Sequence, residues 1–229
     1  MFSPDELTTI ALSVRVAGVA ALASLPLAVA VGWLLARKRF PGKALLDALV
    51  HLPLVLPPVV VGYALLVTFG SQGSVGRLLD QFGLELAFRW TCAALAAAIM
   101  GFPLMVRTIR LSIENVDRRL EQAAATLGAS PWRRFFTVTL PLAWPGLVAG
   151  AVLGFAKALG EFGATITFVS AIPGETRTLS SAIYGLMQVP GGEASIWRLA
   201  AVSVAISLAA LLASEWLVRR QRGADGEDS

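Results

Sequence analysis

A chain with one histidine, His51, and one cysteine, Cys92, has little from which to build a nucleophile, an acid–base pair or a metal centre. His51 precedes Leu52-Pro53 and reads as structural; Cys92 lies in an apolar stretch and can form no disulfide within the chain. Nucleotide hydrolysis by a phosphate loop needs G-x-x-x-x-G-K-[ST], whose glycines let backbone N–H groups wrap the phosphates. Gly42-Lys43-Ala44 is the nearest fragment and fails that pattern. Lys157 and Glu161 stand four apart, the spacing of a local helical ion pair. A part for Glu161 in an outer gate is the sharper alternative. The hydroxyls of Thr165, Thr167 and Ser170 follow closely.

The elements that must position them are apolar and long. The chain of 229 residues is 56% hydrophobic and only 15% charged, against about 25% charged in soluble domains, and its mean hydropathy is +0.70. Spanning a bilayer takes roughly 20 mostly apolar residues. Val16–Ala36, Leu52–Phe69, Trp90–Val106, Thr137–Ala156 and Leu199–Ser214 are uncharged runs of 21, 18, 17, 20 and 16 residues. Trp197 and Trp216 bracket the last run, as interfacial tryptophans bracket a spanning helix. Between the last two runs, 162–192 contains two short uncharged stretches broken by Gly and Pro. It reads either as a re-entrant element or as an outer loop. The expected fold is therefore all-α, a polytopic membrane bundle of about five to six transmembrane helices, with 1–229 as a single domain.

The net charge of +4 does not indicate a nucleic-acid partner, because the basic residues fall between apolar runs. Arg37, Lys38, Arg39 and Lys43 follow the first run; Arg107, Arg110, Arg118, Arg119, Arg133 and Arg134 follow the third; Arg219, Arg220 and Arg222 follow the fifth. These are 13 of the 19 Lys and Arg residues, all on one side. Arg77, Arg89, Arg177 and Arg198 lie opposite, diluted by Asp80, Glu85, Glu175 and Glu193. Positive charge marks the cytoplasmic side, so the N-terminus is expected outside and the C-terminus inside. Arg15 and Lys157 read as side chains snorkelling to the outer interface. Four runs carry prolines, and the three within Pro53–Pro58 are expected to break the second. Gly146, Gly150 and Gly154 form a smooth stripe suited to close helix packing.

The loop 117–137 is the most informative segment. Asp117 can cap a short helix, Gly128 can end it in the left-handed conformation, and Ser130-Pro131 can start another. Leu120, Ala123, Ala124 and Leu127 recur at i, i+3, i+4 and i+7, giving a small apolar ridge on a basic loop. Such a ridge suits a groove on a partner protein. Glu121 neighbours it, and as a charge on a hydrophilic loop its pairing is expected to contribute about 0–1 kcal/mol.

This loop resembles the EAA loop of binding-protein-dependent ABC importers, on Ala123, Ala124, Gly128, Leu140 and Pro141. Gln122 departs from the pattern, standing where the family has Glu, while Glu121 sits one residue earlier. His51-Leu52-Pro53-Leu54-Val55-Leu56-Pro57-Pro58 and Leu159-Gly160-Glu161-Phe162-Gly163-Ala164-Thr165-Ile166-Thr167 are similar to segments of the molybdate-permease family, part of which sulfate and thiosulfate permeases share. The resemblance implies a homodimer of permease subunits in the bacterial inner membrane, contacting lipid, two ATPase subunits and an extracytoplasmic molybdate-binding protein. ATP and Mg would sit on the ATPases, with no cofactor on this chain and no enzyme activity of its own. Leu120, Glu121, Gln122, Ala123, Ala124, Leu127, Gly128 and Pro131 would form the ATPase contact, and Thr165, Thr167 and Ser170 would be hydroxyl donors that hold the dianion weakly along its path, where a buried cation would trap it. The alternatives are a sulfate or thiosulfate permease, or an ion-coupled transporter. The last would usually place ionisable groups near the bilayer midplane.

Overall fold

The computed structural model describes residues 2–71, 73–81 and 89–224; Glu85 and the side chain of Asp80 lie outside this description. The described residues form helices α1 (Pro4–Arg37), α2 (Lys43–Val55), α3 (Pro58–Phe69), α4 (Ser74–Gln81), α5 (Trp90–Asn115), α6 (Arg118–Thr126) and α7 (Pro131–Arg134). A π-helical turn (Phe135–Thr139) then leads into α8 (Leu140–Leu142), α9 (Trp144–Leu159), α10 (Gly163–Val169), α11 (Leu179–Leu186) and α12 (Glu193–Ala224). Among the described residues, four stretches are long and apolar enough to cross a membrane: Pro4–Arg37, Pro58–Leu78, Trp90–Asn115 and Glu193–Arg219. Pro131–Leu142 with Trp144–Leu159 makes a fifth if the bent pair is one span.

Prolines explain which runs break. Pro26 and Pro103 are carried inside unbroken helices, α1 and α5. The second run divides as its sequence predicts: α2 ends at Val55, and Pro58 opens α3. The fourth run is less regular than expected. The π turn places the Leu140 N–H on the Phe135 carbonyl, and at Ala143 the axis turns by 70°. Pro141 and Pro145 flank this corner, and each lacks the N–H that would continue the ladder. The stretch 162–192 adds no span, since α10 and α11 have only 7 and 8 residues.

The core is built where small residues let α1, α5 and α9 approach one another. Ala17, Ala20, Ala93, Ala96 and Ala97 are buried between the helices in one cluster, and Ala28, Leu35, Met105, Val106, Ile109 and Ile113 in a second. The glycine stripe faces α5 of the same chain. A Cβ on Gly146 would overlap Ser112, one on Gly150 would stand 3.0 Å from Ile109 Cγ1, and one on Gly154 would stand 2.5 Å from Met105 Sδ. Arg15 lies 3.9 Å over the Trp90 ring, a cation–π contact that accompanies its exposure at the helix surface. By contrast, only 6% of the apolar window of α12 is buried, and Trp197 and Trp216 are exposed. That helix leaves most of its apolar surface uncovered by the rest of the described chain.

Candidate coupling loop and translocation path

The loop after α5 folds as its capping residues dictate. The Asp117 carboxylate accepts from the Arg119 N–H at 2.8 Å and starts α6. Gly128 ends it at φ +82°, its N–H donating to the Ala125 carbonyl at 3.0 Å while the Ala129 N–H donates to Ala124 at 3.0 Å. The Ser130 hydroxyl accepts from the Arg133 N–H at 3.3 Å, and Pro131 opens α7. No atom would touch a Cβ at Gly128, so the glycine is required by backbone conformation and not by crowding.

The ridge stands clear of the bundle. Leu127 is 88% exposed and Leu120 49%; Ala123 is exposed and Ala124 half-buried. Trp132 on the second short helix and Phe136 in the π turn after it add exposed apolar surface, 73% and 57% exposed, with their rings stacked 6.3 Å apart. Their i, i+4 spacing is helical, but neither is part of the ridge read from the sequence. A helix end covered with unpaired apolar side chains has the form of a docking surface.

Glu121 does not behave as a screened surface charge. Its Oε1 accepts from Arg37 Nε at 2.9 Å and from the Thr139 hydroxyl at 2.9 Å, and lies 2.8 Å from the second Arg37 nitrogen. The Arg37 side chain is only 7% exposed and that of Glu121 21%. Arg37 also donates to the Val116 carbonyl at 2.9 Å, and Arg118 to the Ala36 carbonyl at 3.4 Å. One carboxylate therefore ties α6 to the last turn of α1 and to the π turn that leads into α9. The expectation of solvent screening is corrected here, because the 100° rotation that separates Glu121 from Gln122 turns it inward to Arg37. Gln122 is exposed. Neither Arg37 nor Thr139 was distinguishable in the sequence from its neighbours of the same type.

At the other end of α9, Glu161 is 2% exposed. It accepts from Lys157 Nζ at 2.6 Å and from the Ala164 N–H at 3.0 Å, so from the link after α9 it pairs back to that helix and holds an N–H in the first turn of α10. Thr165 is buried and Thr167 half-buried, the latter donating to the Gly163 carbonyl at 2.9 Å. Ser170 is exposed at φ +62° where α10 ends. A Cβ on Gly62 would lie 2.5 Å from the Ala164 carbonyl oxygen and 2.9 Å from Thr167 Cβ, so α10 packs directly on α3. The structure places Thr165 and Thr167 on one short helix beside the broken second run, with Glu161 and Ser170 just before and after it. Irregular backbone of this kind is tolerated at membrane depth where protein or an aqueous path surrounds it.

His51 faces Asp47 on its own helix, with Nδ1 2.8 Å from the Asp47 carbonyl oxygen. Asp47 in turn accepts from Arg110 at 3.0 Å. This is a helix-to-helix tie between α2 and α5.

Residues 28–223 match the family described as binding-protein-dependent transport system inner membrane component. The chain belongs to this family. It is 60% identical over 223 residues to the molybdenum transport system permease protein ModB of Escherichia coli (strain K12), covering 97% of each chain. A probable sulfate transport system permease protein of Chlorella vulgaris is 37% identical over 181 residues, 79% of this chain and 68% of that one. Among solved structures, an inward-facing form of the MetNI methionine ABC transporter superposes with a TM-score of 0.72 at 16% identity, over 96% of this chain and 99% of that one. At such identity the likeness concerns the fold. The chain is thus a membrane component of a transport system and has the permease architecture.

Proposed function

We propose that this chain is the membrane-spanning permease of an ATP-driven molybdate importer, acting as a homodimer with two ATPase subunits and an extracytoplasmic molybdate-binding protein. The observation that carries the reading is 60% identity to a molybdenum permease along 97% of both chains. The sulfate reading has weaker support, from a relative at 37%. Within 1–229, a single permease domain, the loop 117–137 is the contact for the ATPase. Leu120, Ala123, Ala124 and Leu127 enter a groove of that partner, Gln122 and Pro131 border it, and Gly128 fixes the angle between the two short helices.

ATP and Mg belong to the ATPase, so this chain performs a movement and no bond making. A push on α6 reaches α1 through Glu121 and Arg37, and reaches α9 through Thr139 and the π turn. Just past the far end of α9 stands Glu161, whose carboxylate holds the start of α10. Ligand passage would then be governed where α10 meets α3, with Thr165 and Ser170 as weak hydroxyl donors to the oxyanion and Thr167 joining them once its O–H leaves the Gly163 carbonyl. Basic loops on one side place the N-terminus outside and the C-terminus in the cytoplasm.

The test is complementation. A strain lacking its molybdate permease should regain molybdate-dependent growth at scarce molybdate when it carries this chain with its ATPase and binding protein. Growth without the ATPase would sink the ATP-driven reading and favour an ion-coupled transporter.

A further inference from the structure

A cavity of about 220 Å³ lies behind the coupling helix, on the side turned toward the end of α1. Its charge is lopsided. Arg37 is neutralised by Glu121, but Lys38, Arg118 and Arg134 also line it and have no carboxylate partner among the described residues. The buried Nε of Arg134 has no hydrogen-bond acceptor. An orphaned guanidinium N–H is costly unless an anion completes it. Two of the walls are aromatic: Trp33 and Phe135, edge to face at 5.7 Å, with Lys38 Nζ 5.4 Å from the Trp33 ring centroid. Trp33 stands one turn before the end of α1, and tryptophan rings near the end of a spanning helix favour the membrane interface. Unbalanced cations at the mouth of such a cavity, beside an aromatic ring that favours headgroup depth, call for a phosphate oxyanion.

We propose that this cavity binds the phosphate-bearing headgroup of an anionic phospholipid in the leaflet that borders the coupling loop. Phosphate oxygens accept from Arg134 and Arg118, Lys38 closes the mouth, and the acyl chains run along the exposed apolar faces of the bundle. A lipid held there touches both the end of α1 and the π turn, the two elements that Glu121 ties together. It therefore tunes how firmly the coupling helix is seated. The inference rests on the sidedness proposed above, but its test does not require transport.

The experiment titrates phosphatidylglycerol into the purified permease–ATPase complex in detergent and counts bound lipid by native mass spectrometry. A saturable site on each permease chain is the expected result. Each cation near a lipid surface contributes about a fivefold change in affinity, so Lys38→Gln should weaken binding roughly fivefold and Lys38→Gln with Arg134→Gln roughly twenty-five-fold. Lys38 is exposed, so its single variant remains informative if the double variant folds poorly. Lys43→Gln, on the same basic side but outside the cavity, should leave affinity unchanged. Equal binding by wild type and the Lys38→Gln variant would overturn the proposal, as would an equal loss in Lys43→Gln. Displacement of the lipid by excess inorganic phosphate would assign the cavity to a free anion instead. Binding to the permease alone that disappears on ATPase assembly would assign it to the protein partner.

Discussion

Replacing Glu121 by Gln should leave the ATPase bound and loosen its mechanical connection to the membrane helices. Gln retains an oxygen where Oε1 sits, so the Arg37 and Thr139 contacts survive in outline while the charge is lost. Hydrogen bonds to a charged group contribute about 1.5–3 kcal/mol against about 0.5–1.5 for neutral ones. The Thr139 contact falls from the charged to the neutral range, a loss of about 1 kcal/mol, while the Arg37 contacts keep their charged donor, so the clamp weakens by about 1 kcal/mol, close to a fivefold shift toward an undocked α6. Glu121→Ala removes every contact and leaves a guanidinium that is only 7% exposed without its partner, a loss of about 3–5 kcal/mol. The assay has two parts: hydrogen exchange over 118–126, and molybdate transported per ATP hydrolysed. Glu121→Gln should speed exchange and lower the transport ratio, with pull-down of the ATPase nearly unchanged. Glu121→Ala should do both more severely. If Glu121→Gln abolishes ATPase binding and leaves exchange in the isolated permease as it was, the carboxylate contacts the partner and the internal clamp is wrong.

Ala124→Leu should act in the opposite place, since a larger side chain on the ridge overpacks the groove by about 1–3 kcal/mol and reduces ATPase association roughly five- to hundredfold in a pull-down titration. Gly128→Val forces a β-branched residue to φ +82°, a strain of at least about 1–2 kcal/mol; the protein should reach the membrane but lose stimulated ATP hydrolysis. Gly154→Leu meets Met105 in the α5–α9 contact, and overpacking there should cost about 1–3 kcal/mol, seen as a lower unfolding temperature in detergent. In a Cys92→Ala background, Lys43→Cys and Arg118→Cys should resist an impermeant thiol reagent added to intact cells, whereas Glu193→Cys should react. Labelling of position 118 from outside would reverse the topology.

The sequence was most readable where local chemistry decides the structure. The caps at Asp117 and Ser130, the left-handed Gly128 and the break at Pro57-Pro58 depend on a few adjacent residues, and each is formed as its residue types require. The ridge was equally legible because its apolar residues repeat with the helical period. Long-range pairings were not. Nothing local distinguishes Arg37 from Arg39, or marks Thr139 as the hydroxyl that meets Glu121, because these contacts bridge 84 and 18 residues of sequence. The 70° corner at Ala143 was hidden for a related reason: the apolar run through Thr137–Ala156 is continuous, and composition alone cannot show that its two prolines act together. The glycine stripe announced close packing, while its neighbour, α5, became known only from the assembled bundle.

The most direct test of the transport reading is uptake by proteoliposomes that contain this chain and its ATPase, with the binding protein outside and ATP enclosed. Labelled molybdate should accumulate inside only when ATP and the binding protein are both present, excess sulfate should compete poorly, and enclosed ADP should support none of it. Accumulation driven by an ion gradient in the absence of ATP, or labelled sulfate taken up in preference to molybdate, would contradict the account.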